Sequence, residues 1–422
     1  MKLRLTMIKI ELDDATREKI ETRHWEWYEN YIQKKEIPLK SGKTSVQSFL
    51  ENELGWNKET LRKITLAKDV KNKSHSCIHE CADESNQIRK DYLSKKDSEY
   101  EIKKEGWTSS RKWKVRQILE EYFGYEDFSK GAFQDKAKET WNAYAFIQAL
   151  NIDVCPYCNR QYIFTIRKGN GRPQIDHFYP QEEYPYLSCS LYNFIPSCAQ
   201  CNHQKSSILN KKTDPSAQNK HTNFRWKNDF AFTLYPYTEA FEETNSCNQT
   251  EKNARFRVRY SRGQENEEYN SSLDDMVIVD ITIKKPALKD KITNSIEAFH
   301  LKELYSCHKL DLKDLFTRYR NYSKPKIDEI TRLIVDAQLD TKKIEDKSPL
   351  KHFKLTKEQK EELVQQVAST YTKRIKRTIL GLPLGAGEKQ YPLRKFKEDI
   401  IEQLDNTAQK MKTEARNKNI SK

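Results

Sequence analysis

A chain of 422 residues, 36% hydrophobic and 33% charged, is long enough for two or three folded regions with buried cores, yet no run approaches the roughly 20 apolar residues that a membrane span needs. Nine cysteines are too sparse for a disulfide scaffold, and the opening MKLRLTMIKIELDD breaks its apolar run at Lys9, Glu11 and Asp13 without a cleavage site, which predicts a cytoplasmic protein with no membrane partner. The net charge of +14 is uneven: residues 281–422 hold 32 Lys+Arg against 20 Asp+Glu, the first 280 hold 44 against 42, and this basic C-terminal surplus predicts a polyanionic partner, nucleic acid first.

In chain order, residues 14–33 and the stretches near Ser45, Asn86, Arg111 and Lys136 carry apolar residues at helical spacing, as in Trp113, Ile118, Tyr122 and in Trp141, Tyr144, Phe146, Leu150. Residues 1–150 therefore read as a helical N-terminal region. A β-rich run at 161–166, a Gly-bearing turn at 168–172 and a second extended run through Phe178 predict a hairpin, and 199–210 predicts a helix. Alternation at 224–237, 255–260 and 276–283 marks 216–283 as a β-containing extension, and 284–422 reads as a basic, mainly helical region. Its clearest helix spans 356–380, with Thr356 and Gln359 in a capping-box pattern, Leu363, Val367, Tyr371, Ile375 and Ile379 at every fourth place, and Gly381 and Pro383 as stops. Lys373, Arg374, Lys376 and Arg377 in its last two turns either meet phosphates or complement the helix C-terminus. The stretch 381–389, GLPLGAGEK, lacks the Gly-Lys-Ser/Thr ending of a phosphate-binding loop.

Cys155-Pro-Tyr-Cys158 and Cys198-Ala-Gln-Cys201 form C-x2-C-x39-C-x2-C, two tight pairs that together offer Zn²⁺ four thiolates. A four-sulfur site is closed, so this zinc is structural and any chemistry comes from elsewhere. Cys189, between the pairs, reads as a buried thiol. A second cluster, His75, Cys77, His79 and Cys81, alternates in a way that suits neither a zinc knuckle nor one helix face, and stays open as a metal site.

Between the pairs stands Asp176-His177, followed by Asn193 and Asn202. A carboxylate that holds a divalent cation beside an imidazole that activates water is a set that phosphodiester hydrolysis uses. The residues CPYC, DH, YNF, CAQCN and Lys205, in this order, resemble the HNH endonucleases of the ββα-metal or His-Me finger superfamily, over 51 residues from Cys155 to Lys205. The resemblance implies an α+β protein with a zinc-stapled nuclease core at 151–215. It implies His177 as general base, Asp176 and Asn202 as ligands of a catalytic Mg²⁺ or Mn²⁺, Asn193 as the residue that holds the loop, and a 5′-phosphate product. Many relatives have His where Asn202 stands; Asn favours a harder ion, and His203 is a weaker substitute. Arg160 and Lys205 flank the implied cleft, as phosphate contacts or as solvated charges.

Within the family the stretch is closest to HNH proteins of bacterial anti-phage defence, such as the Septu-type subunit, which implies an ABC-like ATPase or other sensor as partner and DNA in preference to RNA as substrate. Three other readings compete: a silent zinc module that binds nucleic acid without cutting it, an assembly subunit gated by a partner, and a zinc deaminase built on His24-Trp-Glu26, which lies 129 residues before Cys155, while four cysteines leave the zinc no open position.

Overall fold

A computed structural model describes residues 9–67, 78–130, 140–166, 171–210, 233–244, 250–260, 277–322, 326–327, 329–330, 372, 374–382 and 392–420. The fold is mixed α+β, mostly helical with small antiparallel sheets. Among the described residues no helix is long and apolar enough to cross a membrane. The chain divides into a larger compact unit, residues 2–253 with 283–301, and a smaller one, 254–282 with 302–422.

The larger unit begins with α1 (Asp14–Lys34), started by the Asp13 side chain, which accepts from Thr16 N at 2.6 Å. The same device starts α2 (Val46–Leu54) at Ser45 and α3 (Lys58–Thr65) at Asn57, since a short oxygen-bearing side chain satisfies a first-turn N–H that the helix cannot. After α4 (Ile78–Ala82), α5 (Gln87–Lys95) follows its cap Asn86. Four short strands, β1 (Glu36–Leu39), β2 (Gly42–Ser45), β3 (Glu99–Ile102) and β4 (Arg111–Lys114), form a sheet in the order β2-β1-β3-β4. Here the all-helical reading near Arg111 fails. Trp113 pairs across the strands with Tyr100, Lys112 with Glu101 and Lys114 with Glu99, so period-two pairing holds until α6 (Val115–Tyr122) begins. Then come α7 (Tyr125–Lys130) and α8 (Ala143–Leu150). The Lys136 stretch lies outside the described residues.

The unit's centre is aromatic. Ile20, His24, Trp25, Tyr28 and Ile32 form the buried face of α1. Phe194 stacks on Phe128 of α7, centroids 5.3 Å apart at 15°, and meets Phe146 of α8 and His24 edge-on. Phe194 opens β6 (Phe194–Ser197), which pairs antiparallel with β5 (Gln174–His177): Gln174 faces Ser197, Ile175 Pro196, Asp176 Ile195 and His177 Phe194. Helix α9 (Ala199–Asn210) follows directly.

Of the hairpin predicted between 161–166 and the run through Phe178, only the antiparallel bridge of Ile166 to Gly171 is present among the described residues, and β5 pairs with β6. Residues 178–193 instead fold into a compact loop that returns the chain to β5, because Asn193 bonds back to Tyr179 and Leu187, while residue 162 bridges to Val154 and Ile166 to Gly171. The order is strand, loop, strand, helix. The short β7 (Glu242–Thr244) and β8 (Thr250–Lys252) pair with each other, and α10 (Lys289–Ala298) packs on α9.

In the smaller unit β9 (Ala254–Tyr260) and β10 (Val277–Ile283) pair, followed by α11 (Leu301–Ser306), α12 (Lys309–Asn321) and α13 (Arg394–Ile420). Asp399 and Gln403, one turn apart on α13, accept from Phe256 N at 2.8 Å and Val258 N at 3.1 Å, and so cover the edge of β9. The helical turns at 374–379 end at Gly381, φ +67°, with Leu382 N donating to Arg377 O at 2.8 Å. Lys376 pairs with Asp405 at 2.8 Å and Arg377 with Glu398 at 3.0 Å, so these two cations are held by carboxylates of α13. Lys373, the Thr356–Gln359 pattern, most of 224–237, His75 and Cys77 lie outside the described residues.

Candidate functional site

The sequence folds around the cysteines in two different ways. Cys155 and Cys158 flank a turn closed by Cys155 N to Gln161 O at 3.0 Å and Asn159 N to Cys155 O at 2.8 Å, with Asn159 in the left-handed region at φ +46°. Cys198 follows β6, and Cys201 sits in the first turn of α9, where its N–H donates to Cys198 Sγ at 3.4 Å. All four are buried, and their sulfurs lie within 4.8 Å of one another, Cys158 to Cys198 at 4.0 Å. Tetrahedral Zn–S bonds of about 2.3 Å place sulfurs roughly 3.8 Å apart, so this set can hold a dication such as Zn²⁺. Hydrogen bonding from Cys155, Cys158 and Cys201 pushes the Cys198 thiol down, while burial pushes Cys155 up. Among the described residues this is the only such group of His, Cys, Asp or Glu. From the second cluster, His79 shares a hydrogen bond with Tyr179 OH at 2.5 Å and Cys81 is buried in α4.

Strand alternation sends Asp176 and His177, neighbours in sequence, to opposite faces of the β5–β6 ribbon. On one face Asp176 is buried and its Oδ2 accepts from Tyr157 OH at 2.5 Å and Lys205 Nζ at 2.6 Å. Phe299, just after α10, stacks on the Tyr157 ring at 4.3 Å and holds that hydroxyl in place. Lys205 also donates to His177 O at 2.5 Å and Phe178 O at 3.1 Å. It is 5% exposed with all three donors used, so Lys205 is a buried strut rather than a phosphate contact. Desolvation lowers its pKa, against the pull of Asp176. Asn202, on the same helix, donates to Gln174 Oε1 at 2.8 Å, while His203 points outward, exposed. Asp176 and Asn202 are both hard oxygen donors suited to Mg²⁺ or Mn²⁺, and at Oδ2 the Lys205 ammonium competes with any cation. Arg160 is half-buried and donates to Gln200, in the first turn of α9.

On the other face, His177 Nε2 lies 2.9 Å from Ser188 O. A carbonyl only accepts, so Nε2 carries the hydrogen and Nδ1 is the basic nitrogen of the neutral ring. The half-buried ring lies edge-on to Tyr125 at 4.4 Å and to Phe194 at 5.6 Å. Burial pushes its pKa down to about 4, opposed by the Ser188 carbonyl and Asp176, which leaves it uncharged at neutral pH.

Asn193 is fully buried and clasps the loop: Oδ1 accepts from Tyr179 N at 2.7 Å, and Nδ2 donates to Tyr179 O at 3.1 Å and Leu187 O at 2.9 Å. The N-terminal helices grip the same loop. Ser190 bonds to Ile64 O at 2.7 Å, Arg89 to Glu183 O at 2.9 Å, and Tyr186 to Cys81 O at 2.8 Å. His24 donates through Nε2 to Cys189 O at 2.9 Å and accepts from Trp141 Nε1 at 3.0 Å. Thus Trp141 and His24 fix the carbonyl next to the one that orients His177. With both nitrogens used, His24 has none left for the zinc of a deaminase. Cys189 is a buried thiol whose pKa burial raises.

Five contributors escape sequence reasoning: Tyr157, Tyr125, Ser188, His24 and Trp141. Only Tyr157 has a signal at the site, its place inside Cys-Pro-Tyr-Cys; Tyr125, His24 and Trp141 come from far along the chain, and Ser188, near His177 in sequence, acts through a backbone carbonyl that its residue type does not announce. Comparison with protein-family models, curated proteins and solved structures gives no match for this chain.

Proposed function

We propose that the chain is a metal-dependent HNH endonuclease that hydrolyses nucleic-acid phosphodiester bonds, with residues 174–210 as its ββα-metal core and zinc on Cys155, Cys158, Cys198 and Cys201 as a structural staple. The observation that carries this reading is the setting of His177: a neutral imidazole at the end of β5, tied through Nε2 to Ser188 O, with Nδ1 as proton acceptor. Nδ1 takes a proton from water, the water oxygen bonds to phosphorus, and the 3′ oxygen leaves with the P–O electron pair, giving a 5′ phosphate. By the family resemblance a Mg²⁺ or Mn²⁺ would be held by Asp176 and Asn202 and would neutralise charge on the phosphate and the leaving oxygen; it and Nδ1 meet one phosphate only past the end of β5, because Asp176 and His177 leave the ribbon on opposite faces. Asn193 and His24 hold the carbonyls of Leu187 and Cys189, on either side of the Ser188 carbonyl against which His177 is set.

A second reading has its own observation. The Lys205 ammonium on Asp176 Oδ2 already neutralises the carboxylate meant for the cation, which favours a silent zinc-containing nucleic-acid-binding or assembly subunit. Incubating purified protein with plasmid, single-stranded DNA and total RNA, with Mg²⁺, with Mn²⁺ or with chelator, decides between them. Cation-dependent cleavage supports the nuclease; intact nucleic acid in every arm supports the silent subunit. A cytoplasmic anti-phage role beside an ABC-like ATPase or other sensor rests on family resemblance alone, and co-elution with such an ATPase on size exclusion tests it.

A further inference from the structure

Residues 162–166 reverse the usual burial of an extended segment. Ile163 points inward and is buried, while Tyr162, Phe164 and Ile166 point outward at 48%, 56% and 57% exposure. A solvated strand face ordinarily carries polar residues, because exposed apolar surface is hydrated at a free-energy cost. Here the two rings stack on each other, centroids 4.7 Å apart at 18°. Their backbone is braced: Ile163 N donates to Asp153 O at 2.8 Å and Ile166 N to Gly171 O at 2.9 Å.

The rings lie next to the candidate site. Gln161 and Arg160, just before Tyr162, both bond to Gln200, in the helical turn that carries Asn202. At the far end Arg172 lies over the Tyr144 ring at 5.7 Å and donates to Ser129 Oγ at 2.8 Å. In sequence, residues 159–174 hold four basic residues and no acidic one.

We propose that Tyr162 and Phe164 form a stacking platform for the unpaired bases of a single nucleic-acid strand, leading it to the Asn202 side of the candidate site. Every base has a π-face that extends an aromatic stack, and an acid-free, cation-flanked stretch suits its phosphates. A duplex keeps its base faces within its own stack and offers none to these rings. The platform rests on the nuclease reading only for what happens to the strand afterwards.

Binding measured without cleavage tests it. In the full chain carrying His177→Ala, with chelator present, fluorescence anisotropy reads Kd for oligo-dT and oligo-U of roughly 20 nucleotides and for a duplex of the same length. Tyr162→Ala/Phe164→Ala should weaken both single strands by about tenfold or more and the duplex by less than about twofold, with Tyr162→Trp/Phe164→Trp retaining affinity and Phe164→Leu losing it. Loss of only one of the two oligomers assigns the sugar the platform accepts. Unchanged single-strand affinity in the alanine variant, with or without a change in oligomeric state, overturns the platform, as does equal loss for single strands and duplex. If wild type cuts nothing yet these losses appear, the platform stands and the nuclease reading falls.

Discussion

Replacing Asn193 with Ala removes three hydrogen bonds from a fully buried position: 2.7 Å from Tyr179 N, 3.1 Å to Tyr179 O and 2.9 Å to Leu187 O. Each is worth about 1 kcal/mol net, and the groups left behind in the closed loop add desolvation costs of about the same size, so the loop should open more easily by about 3–5 kcal/mol. At about 1.4 kcal/mol per decade, protection of the Tyr179 amide against hydrogen exchange should fall by about two to four decades. Amide exchange followed by mass spectrometry on peptides covering 178–193 is the suitable assay, because it reads the loop directly in a chain of two compact units. Asn193→Asp keeps the acceptor for Tyr179 N, loses both donors and buries a charge, so it should be no better than Ala. A loss of less than one decade in Asn193→Ala would mean that β5 and β6 are held together without the clasp, and would refute its role in setting His177.

Three further outcomes follow from the same contacts. Lys205→Met strands the buried Asp176 carboxylate with Tyr157 alone and should cost about 3–5 kcal/mol in urea unfolding, whereas Asp176→Leu/Lys205→Met should recover most of that loss without restoring cleavage; a neutral Lys205→Met would show that the pair is solvated. Cys155→Ser should lower bound zinc, read by atomic absorption, and lose soluble protein, and full zinc content in that variant would remove Cys155 from the centre. His24 has a folded pKa lowered to about 4 from 6.5, so the unfolded chain binds the extra proton between these values: its contribution is complete above pH 6.5 and falls away towards pH 4, by about 3 kcal/mol. His24→Phe should remove up to about one proton from the uptake on unfolding in that window, and an unchanged acid limb would contradict it.

Local signals are legible where neighbouring residues carry the physics. The helices at 14–34, 46–54 and 87–95 are legible from apolar spacing, and the structure adds their caps, Asp13, Ser45 and Asn86, where one side chain satisfies one amide. The paired cysteines announce a cluster because their spacing is short within each pair. Sites assembled from distant segments were harder. The 161–166 run looks like half of a hairpin by its β-rich composition and the turn after it, but Tyr162, Phe164 and Ile166 face solvent, and the true partner of β5, Phe194-Ile-Pro-Ser197, is buried on both faces and contains proline, so it shows no period of two. Lys205 reads as a surface cation until burial places its ammonium between Asp176 and two carbonyls. His24 offers only the misleading His24-Trp-Glu26 pattern and Trp141 only a place in an apolar spacing; the packing of α1 and α8 against β6 brings them to the loop.

The role of His177 is tested most directly by the rate of Mg²⁺-dependent cleavage in His177→Ala against wild type, on whichever substrate wild type cuts, with zinc content matched. A general base at Nδ1 predicts a fall of roughly 10²- to 10⁴-fold with fold and zinc intact. A variant that cuts as fast as wild type would contradict it.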